Sequence, residues 1–350
     1  MAWDVSVWQR EIEVLRPVAT GSDVQSPLKR ATRALAYCLG GTQLEQYSMA
    51  HRAFLFFWVL LLVLISGAAR GSAQNLDLGV LEDVPGAYAG QPNQHSVRVL
   101  FQKNGSDWEA FPNNCPDQGC LKTISSKYPR EVTWTIVLDG RDLGQVTGRT
   151  PKEFEFYSHV GLQEVVSTGA IPTVGKRSAV YGGFTDVSVF RPLVAVSRPY
   201  FNDPESWKPS NLSADMIRLL RQEFRKRFPT VSNCTSPADA AENPWLYNDE
   251  NIRILKQYSS NRQWSVVQVR LGEYRCNGPP DDPFLDYWFA LSPANDITLL
   301  GNGMWLVDAG DYDNDGKSEL VFAIDRYNQG GYELFYADFK KHATFEFGYH

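Results

Sequence analysis

From Ser96 onward, short runs of alternating apolar and polar residues follow one another along the chain. "SVRVLFQ" from Ser96, "EVTWTIVLDG" from Glu131, "EFEFY" from Glu153 and "PLVAVS" from Pro192 are the first of them. The second group is "QWSVVQVRLGEYRC" from Gln263, "LDYWFALS", "GMWLVDAG", "ELVFAI", "GYELFYADF" and "TFEFGY". A period of two marks half-buried strands, and β-branched and aromatic side chains dominate the runs, as a pleated surface prefers. Turn residues, such as the Asp139-Gly140 pair, separate the runs at about ten-residue spacing, as in sandwiches and barrels. The pattern predicts a mainly β protein of antiparallel sheets, with a propeller-like or partial-propeller arrangement as one option.

One segment has the helical period instead. In "LSADMIRLLRQEFRKRFP", Met216, Ile217, Leu220, Phe224 and Phe228 fall on one face. Ser213 is a good N-cap, Asp215 suits the positive end of the helix dipole, and Arg225, Lys226 and Arg227 suit its negative end before Pro229 stops it. This predicts one amphipathic helix whose apolar stripe covers a sheet. The chain then divides into a β-rich region over 74–212, a helix and loop insertion over 213–260, and a second β region over 261–350. Residues 74–95, rich in Gly, Pro and Asn, read as an extended lead-in, and no repeat of fixed length stands out.

The N-terminal part carries an address. Ala53–Ala69 is an uncharged apolar run between Arg52 and Arg70, close to the ~17-residue lower limit for a spanning helix. Starting at Met49, a basic start, an apolar middle and small residues at Gly71 and Ala73 make a complete export signal over 49–73. Cleavage after Ala73 would leave Gln74 first, and residues 1–48 would lie upstream of the true start. The alternative is a single-pass anchor, with Lys29, Arg30 and Arg33 on the cytoplasmic side and contact with a membrane only through residues 53–69. Either way residues 74–350 lie outside the cytoplasm.

Cysteine usage fits that address. Cys38 lies in the leader, and the exported part holds Cys115, Cys120, Cys234 and Cys276. An even number in an oxidising compartment reads as disulfides, with three pairings open. Closure of "CPDQGC" favours Cys115–Cys120, which leaves Cys234–Cys276. The net charge of −6 argues against a nucleic-acid partner.

The strongest chemistry is in "DAGDYDNDGKSELVFAI", residues 308–324. Counting Asp311 as one, carboxylates stand at one, three and five, Gly316 at six and Glu319 at nine. So much like charge calls for a cation at its centre. Calcium takes six to eight hard oxygens, and the alternate side chains of a tight loop can supply them. Lys317, at seven, could offer only its backbone carbonyl. The metal set is Asp311, Asp313, Asp315, Lys317 and Glu319, for Ca²⁺, with Asp308 bracing the turn from outside. An EF-hand does not fit, because position twelve is Phe322 and both flanks read as strands. The segment resembles the calcium-binding loop of FG-GAP repeats, as in integrin α-chain propellers and bacterial VCBS proteins. Asp311, Asp313, Asp315 and Glu319 match that family's side-chain ligand positions, with glutamate at the last where aspartate is commoner. The resemblance covers one loop and implies a structural Ca²⁺ in a propeller-like β fold.

Catalytic signals are weak, and no catalytic residue is assigned. No H-E-x-x-H or G-x-S-x-G motif occurs. His159, after Glu153 and Glu155 at strand spacing, reads as a rim histidine. Asp281, Asp282 and Asp286 precede Tyr287, Trp288 and Phe289, as a glycosidase's carboxylates would, but adjacent aspartates after Pro-Pro are more often a turn. Sequons stand at Asn104, Asn211 and Asn233. The expectation is an exported, calcium-stabilised β protein acting as a binding or adhesion-type module for a protein or carbohydrate. The alternative is a secreted hydrolase acting on polysaccharide, with Asp282, Asp286 or Glu153 in one cleft.

Overall fold

A computed structural model describes residues 76–84, 94–115, 117–155, 157–166, 169–172, 176–179, 187–190, 192–198, 203–229, 231–232, 244–245, 247–272, 286–326 and 328–348. The elements begin with β1 (Asp77–Val84), β2 (Gln94–Asn104), β3 (Asp107–Ala110), helix α1 (Gln118–Ser125), β4 (Glu131–Leu138) and β5 (Arg141–Arg149). Next come β6 (Leu162–Glu164), β7 (Lys176–Ala179), β8 (Val187–Phe190), β9 (Leu193–Val196), β10 (Lys208–Pro209) and helix α2 (Ala214–Arg227). Then follow β11 (Val231–Ser232), β12 (Pro244–Trp245), β13 (Ile252–Ser259), β14 (Ser265–Leu271), β15 (Asp286–Leu291) and β16 (Ile297–Asn302). The last four are β17 (Met304–Gly310), β18 (Glu319–Arg326), β19 (Gln329–Tyr336) and β20 (Lys341–Gly348).

The fold is mainly β, as the alternation predicts. A seven-stranded sheet runs β3-β2-β1-β9-β4-β5, with β6 also on β2. A five-stranded sheet runs β10-β13-β14-β15-β16, and a four-stranded meander β17-β18-β19-β20. Strand neighbours in all three are antiparallel.

Side-chain alternation on the central strands shows how the layers stack. On β18, Val321 and Ala323 enter the core of the seven-stranded sheet, beside Val99 and Trp134. Leu320, Phe322 and Ile324 enter a second core with Val266, Trp288 and Ala290 of the five-stranded sheet. On β14 the next residues, Val267 and Val269, turn to a third core built on Leu220 and Phe224 of α2. The order is therefore seven-stranded sheet, four-stranded sheet, five-stranded sheet, helix. β18 is buried on both faces, which explains its nearly continuous apolar run.

Some sequence expectations need correction. Residues 77–84 of the extended lead-in form β1, which sits between β2 and β9. The described residues of "EFEFY" form no strand: Glu153, Phe154 and Glu155 lie in irregular chain, and Tyr157 pairs with Gly348 in an isolated bridge. A second helix, α1, begins in "CPDQGC", where the Asp117 side chain caps it by accepting from the Cys120 N–H at 3.0 Å. Cys115 and Cys120 are joined across this turn, with Cα atoms 5.7 Å apart. Cys234 and Cys276 lie outside the described residues, as do Cys38 and the segment 49–73. Among the described residues no helix is long and apolar enough to cross a membrane.

Candidate metal centre

The acidic loop joins β17 to β18, whose last ladder pair is Gly310 with Glu319. Its chain reverses through left-handed conformations at Asn314 (φ 59°) and Gly316 (φ 90°). Asparagine tolerates that region and glycine enters it freely, so "NDG" is the turn chemistry the bend needs. The carboxylates hold the bend from inside. Asp311 Oδ1 and Asp313 Oδ1 each accept from the Asp315 N–H at 3.0 Å. Asp311 Oδ2 accepts from the Gly316 N–H at 3.0 Å, and Asp315 Oδ1 from the Lys317 N–H at 2.8 Å.

Asp311, Asp313 and Asp315 thereby converge, each offering an oxygen within 4.8 Å of the others'. Calcium–oxygen distances of about 2.3–2.6 Å put ligands on opposite sides of one ion roughly 5 Å apart, so the set fits a single hard cation. Glu319 is not one of the three. It is buried at the base of the loop, and its Oε2 accepts from the Tyr312 N–H at 2.8 Å. Burial, and then the charge of Asp313, push the Glu319 carboxyl well above its usual range, and burial likewise raises Asp311. The Lys317 ammonium turns to Asp338 at 2.7 Å. Asp308 is buried next to the loop: its Oδ1 accepts from the Asp139 N–H at 3.0 Å and its Oδ2 from the Tyr312 hydroxyl at 3.4 Å.

The loop is also where the three sheets meet. From the seven-stranded sheet, Lys103 on β2 ion-pairs with Asp313 Oδ2. Arg198, just after β9, donates to the Asp313 carbonyl at 3.0 Å. From the side of the five-stranded sheet, Asp203 accepts from the Ser318 hydroxyl at 2.8 Å, and buried Glu205 from the Ser318 N–H at 3.2 Å. Glu205 also takes Arg262 at 2.8 Å, and Arg262 reaches Asp338, between β19 and β20, at 2.8 Å. Burial tends to raise the Asp338 carboxyl, but the bonds from Lys317 and Arg262 outweigh it and hold it below its usual range. The β19–β20 turn takes three successive left-handed residues, Ala337, Asp338 and Phe339, and the Phe339 ring lies 5.2 Å from Trp264 and 6.2 Å from Trp207. The partners Lys103, Arg198, Asp203 and Glu205 lie more than a hundred residues from the loop, and no local motif marks them.

The other candidates lie elsewhere. Asp286 is buried, and its Oδ2 accepts from Gln268 at 2.9 Å and Arg270 at 2.7 Å. Asp281 and Asp282 lie outside the described residues. His159 and Glu153, 3.9 Å apart, are a largely exposed pair. Among the sequons, Asn104 is exposed at the β2–β3 turn, Asn211 is exposed before α2, and Asn233 lies outside the described residues. Comparison with protein families, curated proteins and solved structures finds no match to this chain.

Proposed function

We propose that the chain is an exported β protein stabilised by Ca²⁺ in the 311–319 loop, acting as a binding or adhesion-type module for a protein or carbohydrate ligand. The observation that carries the metal reading is the convergence of three aspartate oxygens within 4.8 Å, on a strand–loop–strand turn. Asp311, Asp313 and Asp315 would hold the ion, the Lys317 carbonyl would lie on the same turn, and Glu319 would close the base. An ion there would neutralise the carboxylates at the point where the sheets are tied, a fold staple rather than a reaction centre. The strand–loop–strand setting of the acidic loop is the feature that supports the resemblance to FG-GAP and VCBS repeats. The Cys115–Cys120 bond supports an oxidising compartment. The engagement of Asp286 with Arg270 and Gln268 supports binding over polysaccharide hydrolysis.

Metal analysis of protein dialysed against calcium and then buffer tests the site. One Ca²⁺ per chain is expected in the native protein and none in Asp311→Asn/Asp315→Asn; an empty native protein refutes the assignment. Sequencing the N-terminus of the exported protein should return Gln74, and an intact segment 53–69 would mean a membrane tether instead.

A further inference from the structure

A cation already reaches into the acidic loop, and the chain itself supplies it. Lys103 comes from the end of β2, in a different sheet and 210 residues away, and its ammonium pairs with Asp313 Oδ2. The Lys103 side chain is only 16% exposed and that of Asp313 only 4%. Two aromatic faces flank the ammonium, with centroids 5.1 Å (Trp108) and 5.6 Å (Tyr336) from Nζ. A long lysine immobilised in such a place has given up water and rotamer freedom, which the carboxylate must offset. Asp313 is also one of the three residues whose oxygens converge.

We propose that Lys103 is a tethered counter-ion that competes with the divalent cation for Asp313, so that metal entry expels the ammonium and loosens the clasp between β2 and the loop. The inference rests on the reading of the loop as a calcium site. Asp313 presents Oδ2 to the ammonium and Oδ1 to the Asp315 N–H, so a divalent ion at either oxygen lies close to a second positive charge, and partly buried charges are poorly screened. The lysine therefore keeps the metal-free loop folded and lowers its affinity for the ion. By reciprocity, metal weakens the Lys103–Asp313 contact by the same factor as the contact weakens metal binding. Arg198 donates to the Asp313 backbone carbonyl, and it can stay in place in both states.

Two measurements separate this idea from the metal assignment beneath it. Calorimetric titration with calcium chloride should show tighter binding in Lys103→Met than in the native protein, by roughly tenfold. Lys103→Arg should stay close to native affinity. Equal affinities in native protein and Lys103→Met would overturn the competition while leaving the metal site standing. Heat from none of the three would sink the metal reading and the competition with it. The second measurement needs no metal: in chelator, Lys103→Met should melt below the native protein, and adding Asp313→Asn should restore most of the loss. A Lys103→Met melt unchanged in chelator would refute the counter-ion role whatever the titrations give. Should Lys103→Met fail to fold, the double variant Lys103→Met/Asp313→Asn is compared with Asp313→Asn alone. A lysine that matters only through Asp313 leaves these two with the same melting point, and a large difference overturns the idea.

Discussion

At the level of single residues, the loop depends on two kinds of side chain. Its aspartates bond backbone N–H groups within the turn and also aim oxygens at one point. Gly316 provides backbone freedom at φ 90°, with nothing within 4 Å of where a Cβ would stand. The cost of a side chain there is thus conformational rather than steric. Gly316→Val should lower stability by about 1–2 kcal/mol in denaturant titration, and should weaken calcium binding because the aspartates share the turn. A variant as stable as the native chain would mean that the turn relaxes freely. The three aspartates are legible from their spacing alone. Lys103 is not, because "FQKNGS" is an ordinary hairpin tip in the sequence and only the pairing of distant strands brings it to Asp313.

At the level of elements, legibility follows burial. α2 announces itself: the Ser213 hydroxyl accepts from the Met216 N–H at 3.3 Å, and Leu220 and Phe224 are fully buried. The Phe224 ring lies 5.1 Å from Phe228 and 5.2 Å from Tyr287, so the helix reaches the five-stranded sheet through this residue. Phe224→Ala should cost about 3–5 kcal/mol in equilibrium unfolding, the usual range for emptying a fully packed aromatic site. A loss under ~1 kcal/mol would mean that the helix contributes little to that core. β1 looks like lead-in because its flanks are rich in Gly and Pro, although Leu78, Val80 and Leu81 all lie in the main core. The opposite error arises at "EFEFY", where alternation over five residues mimics a strand but, among its described residues, Phe154 is buried and Tyr157 is exposed. α1 is hidden because a single Asp117 cap outweighs the loop-like look of "CPDQGC".

Among the described residues the three largest sheets and α2 stack in layers, and they are joined where several carboxylates have been withdrawn from water. Outside the loop, burial raises Asp77 to about 6, offset in part by the bond from Gln102, and burial raises Asp325 to about 6. Ordinary carboxylates titrate near 4, so these folded-state values lie above the unfolded ones. Stability from the two groups is then fully present below about pH 4 and is lost as pH rises through about 6. Asp77→Asn should lose less stability than the native chain between about pH 4 and 8, a difference of roughly 2 kcal/mol, and its side-chain oxygen can still accept from Gln102. Parallel pH profiles for the two proteins would contradict this.

The loop ties together strands that lie far apart in sequence, and its charge is the reason an ion should matter to the entire fold. A ligand that binds only the folded state adds about 2.7 kcal/mol at a hundred times its dissociation constant. Thermal melting of the protein in chelator, and again with millimolar calcium, is the most direct test. The expected result is a melting point several degrees higher with calcium, an increase that Asp311→Asn/Asp315→Asn abolishes. Two superimposable native melts would contradict a calcium staple at this loop.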